Sequence, residues 1–286
     1  MSVASVLVLG ATGMVGSAVT RALVAKGLDV VVLVRSEAKA AKLELLGARA
    51  VLGDIRAPST WKEELLSCRA VCHCAADWTD AAAADEQLLD WLLPRLEGKK
   101  LVYCGSCWLF GEGAITEASP MVRGTPLDWL IDGTMRVLQH DGVCGMVVHP
   151  GCLFHRHADG QLDGVKTLQR MAKEAEQGPV RVVHSAHVHV PWVHEDDVGA
   201  LFALALERGT HGGIYNGTSF VQTIGSAAVA AAGSIGVERV ELVEVDGETA
   251  LQQFGAVGAF GYALNVTRVD CTSSEALGWR PGHLLF

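Results

Sequence analysis

The sequence predicts an α/β fold, a doubly wound parallel sheet followed by a smaller C-terminal lobe. Three observations carry that expectation. Apolar runs of strand length alternate with longer segments of helical periodicity over the first 150 residues. The runs are almost continuously apolar, as in strands covered on both faces. The first run breaks into a turn with three glycines that opens directly into a helix.

Residues 6–9 form the first predicted strand. Gly10-Ala11-Thr12-Gly13-Met14-Val15-Gly16 follows, then a helix over 17–25 with Val19, Leu23 and Val24 on one face, and a second strand over 29–34. In such a unit Gly10 permits the tight turn. Gly13 has no side chain to keep a pyrophosphate from the backbone, and Gly16 lets the helix pack close to the strand. The helix start presents free N–H groups and partial positive charge. Gly10, Thr12, Gly13, Met14, Val15 and Gly16 are therefore candidate cofactor-binding residues. After the second strand the chain carries Arg35 where a carboxylate would accept from a free ribose 2′-hydroxyl. A guanidinium suits a 2′-phosphate instead, so NADP(H) is expected before NAD(H). Stacking on adenine or simple solvation of Arg35 is the alternative.

The bulk properties limit the function classes. A chain of 286 residues, 50% hydrophobic, can bury one large α/β domain with a small lobe. Its net charge of −9 offers no basic surface for nucleic acid or an anionic membrane. The apolar N-terminus lacks a basic leader and no apolar run reaches membrane-spanning length. The 8 cysteines are scattered among predicted strands rather than spaced as a secreted framework, so reduced thiols and a cytoplasmic location are expected. The expected partner is a small-molecule substrate, with a homodimer left open.

Further along, 36–46 reads as a helix with Ser36 as N-cap, 48–52 as the third strand, and Asp54 as an acid able to accept from an adenine amino group, or an ordinary turn Asp. A short helix over 61–66 precedes the fourth strand, 70–74, and the small residues Ala75 and Ala76. Helix 82–96, strand 99–104, a loop from Gly105 to Gly111, helix 125–139 and strand 142–148 complete the predicted sheet. The dinucleotide-binding core is thus assigned to 1–150. The rest, 151–286, is expected to form mainly a substrate lobe, with segments returning to the core. There the pattern suggests helices over 162–175, 195–206, 221–232 and 247–254, with extended chain over 180–190, 213–216 and 238–245.

These residues together resemble the extended short-chain dehydrogenase/reductases, the NAD(P)-dependent epimerase/dehydratase group, nearly end to end. Gly10, Gly13 and Gly16 fit that family's G-x-x-G-x-x-G turn, Asp54 its adenine-contacting acid, and Cys74-Ala75-Ala76 its small-residue stretch. Residues 101–111 look like its strand, serine and aromatic-Gly segment, which places Ser106 at the catalytic serine. His149-Pro150-Gly151 is similar to its Arg-Pro-Gly, placing Pro150 at the cofactor, and Leu277-Gly278-Trp279-Arg280-Pro281 to its closing segment. The resemblance implies a Rossmann fold and nicotinamide chemistry.

One departure from the family is conspicuous. Its Tyr-x-x-x-Lys pair falls on Trp129 and Gly133, and none of the 3 tyrosines, Tyr103, Tyr215 and Tyr262, is followed by a lysine four residues on. An indole does not titrate usefully and glycine has no side chain. Ser106 remains to hydrogen-bond a substrate oxygen, with His149 or Cys107 as candidate proton donors. Asp77, Trp108 and Trp129 are candidate substrate contacts. The two indoles suit an aromatic or polyketide-like molecule rather than a sugar. For each of these a packing or capping role is the alternative.

Cys104 and Cys107 have C-x-x-C spacing without a thioredoxin-type context, and the histidines around 184–194 have no Cys or acid spaced to complete a zinc site, so no metal is expected. The expected activity is an atypical NADP(H)-dependent reductase or dehydrogenase moving a hydride to or from a small aromatic or unsaturated metabolite. Its rivals are a catalytically silent cofactor-binding sensor or scaffold, and a non-redox lyase or isomerase on the same fold.

Overall fold

In the computed structural model, residues 5–164 and 166–286 are described. The first half alternates strands and helices: β1 Ser5–Leu9, α1 Met14–Ala25, β2 Asp29–Val34, α2 Glu37–Glu44, β3 Arg49–Leu52, α3 Lys62–Ser67, β4 Ala70–His73, α4 Ala81–Leu92, β5 Lys100–Cys104, the short β6 Gly113–Ile115, α5 Asp128–Gln139 and β7 Cys144–Pro150. The remainder runs β8 Cys152–Arg156, β9 Leu162–Gly164, α6 Lys166–Gln177, β10 Val180–Val183, β11 His189–His194, α7 Glu195–Arg208, β12 Ile214–Gly217, β13 Phe220–Thr223, α8 Ile224–Gly233, β14 Leu242–Val245, α9 Gly247–Gly261, β15 Val266–Val269 and α10 Thr272–Ala276.

The central sheet has seven parallel strands in the order β12-β7-β5-β4-β1-β2-β3. Chain direction across the sheet reverses between β1 and β4, and that switch point opens a crevice at the strands' carboxyl ends. Each face of the sheet is covered. On one side α1 and α7 bury Val8, Val32, Val102 and Val148. On the other α4 and α5 bury Leu7, Val31, Val71 and Leu101. Burial on both faces is why these strands read as unbroken apolar runs. A third cluster lies in the second half, where α6 and α8 pack near Phe154, Val190 and Trp192. Two segments beyond Pro150 belong to the central layer: β12 lies beside β7, and α7 approaches α1 so closely that a Cβ on Gly199 would sit 2.5 Å from the Ala18 carbonyl.

Several elements of the second half differ from expectation, each for a pairing reason. The helix expected over 162–175 is replaced at its start by β9, which pairs antiparallel with β8; Val165 lies outside the described residues, and α6 begins at Lys166. The extended stretch over 180–190 is two strands in different sheets, β10 beside β14 and β11 beside β8 and β13, separated by a turn in which His184 takes φ 55°. The helix expected from 221 starts at Ile224, because 220–223 pairs with β11 and the Thr223 hydroxyl caps the helix. The last helix runs on to Gly261 across a kink at Gly255, φ 69°.

Candidate active site

The crevice at the switch point encloses about 730 Å³. Its floor is the glycine turn. Gly10 takes φ +79°, and a Cβ there would lie 2.6 Å from the Ala75 amide nitrogen. Gly16 does not line the crevice; its hydrogen faces the Gly10 carbonyl, which a Cβ would meet at 2.2 Å. Gly13 does line it, and a Cβ there would meet nothing closer than 3.4 Å, so the space above it is open. Gly13 is also the residue before α1, and no side chain caps that helix. The first amides of α1 therefore face the crevice without an internal partner, which is the geometry that receives a phosphate. Thr12, Met14 and Val15 complete this wall.

Beyond β2 the crevice is lined by Arg35, exposed, and by Lys39 in the first turns of α2. Lys39 was missed from the sequence, where only a second cation four residues after Arg35 hinted at it. Asp54 lines the same end and accepts from the Arg56 amide at 2.9 Å. Ala75, Ala76 and Asp77 follow β4. The Asp77 carboxylate accepts from the Thr79 hydroxyl at 2.6 Å and from the Thr79 amide at 3.1 Å, and pairs with Arg56. The Thr79 hydroxyl and the Arg56 guanidinium hold its carboxyl well below the usual range, so it stays an anion.

At the other end, Ser106, Trp108, Trp129 and Pro150 all line the crevice. The Ser106 Oγ accepts from the Trp108 amide at 3.2 Å, capping the single 3-10 turn at Cys107–Phe110. Among the described residues no acceptor takes its hydroxyl proton. Trp108 is seated by Gly261, where a Cβ would stand 2.4 Å from the indole, and by the edge of Tyr262 at 5.2 Å.

Two expected proton donors are not where the chemistry would need them. His149 is fully buried, does not line the crevice, and accepts from the Ser106 amide through Nδ1 at 3.1 Å. Burial pushes its imidazolium down to about 3, so the ring is neutral at physiological pH. Gly105 makes room for it: a Cβ would lie 2.2 Å from Nδ1. Cys107 is likewise fully buried, donates to the His149 carbonyl at 3.1 Å, and its thiol is pushed up to about 12 by burial. Both residues hold the Ser106 loop from behind.

The space beside Gly133 on α5, the position expected from the sequence to replace a lysine, is occupied by other atoms. A Cβ on Gly133 would lie 2.4 Å from the Tyr103 hydroxyl and 2.6 Å from the Asp85 carboxylate. Tyr103 donates to Asp85 at 2.9 Å, and His73 Nε2 stands 3.2 Å from the other carboxylate oxygen. Burial, with Asp85 beside it, raises the Tyr103 phenol well above its usual value, so it stays protonated. Nothing in the sequence spacing linked these three residues; β4, α4 and β5 bring them together. Among the described residues no cluster of three or more His, Cys, Asp or Glu could hold a metal ion, and no helix is long and apolar enough to cross a membrane.

A parallel sheet reversing over a glycine turn, with an uncapped helix aimed into the crevice, defines a dinucleotide-binding protein of the Rossmann class. More narrowly, the chain belongs to the NAD dependent epimerase/dehydratase family, whose model matches residues 6–216. It is 28% identical over 288 aligned positions to the uncharacterized protein C2A9.02 of Schizosaccharomyces pombe, covering 97% of this chain and 95% of that one. An 80-residue stretch, 28% of this chain and 24% of the other, is 41% identical to a 4-hydroxy-2-methyl-3-oxo-4-farnesyl-3,4-dihydroquinoline-1-oxide ketoreductase of Stigmatella aurantiaca. In fold it is similar to the UDP-glucuronic acid 4-epimerase of Bacillus cereus, solved with UDP-glucuronic acid and NAD. That match has a TM-score of 0.79 at 16% identity, over 98% of this chain and 94% of the epimerase.

Proposed function

We propose that the protein is an NADP(H)-dependent reductase or dehydrogenase acting on a small aromatic or unsaturated metabolite without a Tyr/Lys proton relay. The observation that carries this reading is one crevice holding bare phosphate-facing amides, two cations and a serine hydroxyl free to donate. The glycine turn and α1 would hold the pyrophosphate. Arg35 and Lys39 would hold a 2′-phosphate, although the Bacillus epimerase carries NAD. Asp54 stands at the adenine end, and Ala75, Ala76 and Pro150 flank the bound group.

When bound, a reduced nicotinamide would supply the two-electron hydride that reduction of a carbonyl carbon requires. Ser106 hydrogen-bonds the carbonyl oxygen and stabilises the charge that develops there. It passes its hydroxyl proton to that oxygen and regains one from water in the open crevice. His149, neutral and buried, fixes the Ser106 amide and with it the position of the hydroxyl. The partial likeness to a protein named as a dihydroquinoline-1-oxide ketoreductase supports this reading.

The test is calorimetric titration with NADPH and NADH, followed by NADPH oxidation with a panel of ketones, enones and imines. NADPH binding at least ~10-fold tighter than NADH, with turnover of a panel member, is expected. Binding without any turnover would favour a silent sensor, and no binding of either dinucleotide would remove the reading.

A further inference from the structure

Charge is distributed unevenly along the crevice. Its lining contains four charged side chains, Arg35, Lys39, Asp54 and Asp77. All four follow β2, β3 or β4, or lie in α2. The opposite end is built on β5, β7, β8, α5 and α9, and contributes Ser106, Trp108, Leu127, Trp129, Leu153 and Val257. None of these carries a charge.

Sheet order makes the separation large. Arg35 follows β2 and Ser106 follows β5, and β1 and β4 stand between those two strands. Three strand spacings amount to roughly 14 Å. A substrate whose reacting carbon sits at Ser106 therefore cannot reach Arg35 or Lys39 with a neighbouring anionic group, least of all when a cofactor lies between. A sugar nucleotide would bring a diphosphate into this end with no lining cation to meet it, and an unpaired buried charge is strongly disfavoured. A free sugar fares little better, because several hydroxyls would face walls of indole and aliphatic carbon with Ser106 as the chief hydroxyl partner.

The walls are suited to something else. Trp108 is fixed in place by Gly261 and Tyr262. Trp129 meets Trp78 edge-on, centroids 6.2 Å apart at 83°, and Trp78, 68% exposed, extends the aromatic surface outward. Three crevice-lining indoles offer faces and edges to a flat ring.

We infer that the substrate end of the crevice selects an uncharged aromatic ring system bearing a carbonyl group and turns away nucleotide sugars. The inference deepens the reductase reading and rests on it for the reaction, but its binding claim stands separately. The test uses 1-acetonaphthone, menadione and UDP-glucose as probes. Binding of each is followed by tryptophan fluorescence, with and without saturating NADP+, and NADPH oxidation is followed with each carbonyl compound. Both aromatic probes are expected to bind below ~1 mM and at least one to be reduced. UDP-glucose at millimolar concentration should neither bind nor compete with the aromatic probes in the NADP+-loaded protein. Trp129→Ala should weaken aromatic binding at least ~10-fold while NADPH affinity stays within ~2-fold, and Trp108→Ala gives the same comparison should Trp129→Ala misfold. Saturable competition by UDP-glucose, or aromatic affinities unchanged in both variants, would overturn the inference. Failure of NADPH itself to bind would strike the reductase reading instead, and the fluorescence arm without cofactor would still decide the substrate class.

Discussion

The two ends of the crevice are built from different materials. The phosphate end is main chain: Gly10, Gly13, the uncapped amides of α1, and a tight approach between the glycine turn and Ala75. The serine end is side chains supported by other side chains, with Ser106 held by Trp108 in front and by His149 and Cys107 behind. A main-chain site depends on the residues that lack a Cβ and changes little otherwise. A side-chain site can be rebuilt residue by residue, because each member is one substitution away from another chemistry.

That contrast can be broken by experiment. Ser106→Ala removes the hydroxyl proposed to meet the reacting oxygen, and should lower kcat/KM by at least ~10²-fold while leaving NADPH affinity within ~2-fold, measured by steady-state kinetics and calorimetry. Equal losses in both would show that the two ends are not separable. Arg35→Ser acts on the other end alone. Loss of a charge-assisted contact worth about 1.5–3 kcal/mol should weaken NADPH by ~10–100-fold and leave NADH unchanged; an unchanged NADPH affinity would reassign Arg35 to adenine stacking or to solvent.

Gly133→Ala probes the rebuilt corner. Its methyl would press on the Tyr103 hydroxyl and Asp85, with an expected cost of about 1–3 kcal/mol in chemical denaturation. A variant as stable as the parent would mean that the corner has room for a side chain.

The last effect is a pH slope. His149 is neutral in the folded protein down to about pH 3, whereas in the unfolded chain it takes up a proton below about 6.5. Its folded-state pKa is depressed, so the neutral ring's contribution is fully present above about pH 6.5. It is lost as pH falls toward 3, at about 1.4 kcal/mol per pH unit. His149→Asn, whose amide oxygen can accept from the Ser106 amide, should flatten the acid limb of the stability profile by that slope. If the two proteins lose stability in parallel between pH 6 and 4, the ring is not held neutral.

How far the site was legible follows the same division. Gly10, Thr12, Gly13, Met14, Val15, Arg35, Asp54, Ala75 and Ala76 all line the crevice, because consecutive residues of a turn and residues at strand ends reach one sheet edge together, while Gly16 packs against the Gly10 carbonyl instead. His149 and Cys107 stood beside Ser106 or at the end of a neighbouring strand, and adjacency suggested proton donors. Only depth of burial shows the His149 ring and the Cys107 thiol turned inward. Tyr103, Asp85 and His73 share no motif, since their meeting depends on three elements packing together. The lobe was harder to read than the sheet. Its strands are three to six residues long; 162–164 became a strand by folding back on β8, and 220–223 by pairing with the more distant β11.

By itself the sequence determined the parallel sheet, because strands buried on both faces must be apolar throughout, and it determined the phosphate-binding turn, because missing side chains are visible one letter at a time. The tertiary structure decided which polar groups reach the crevice and which are sealed behind it. A side chain's protonation and reach depend on the neighbours that remove water from it, and those neighbours come from elements far apart in the chain.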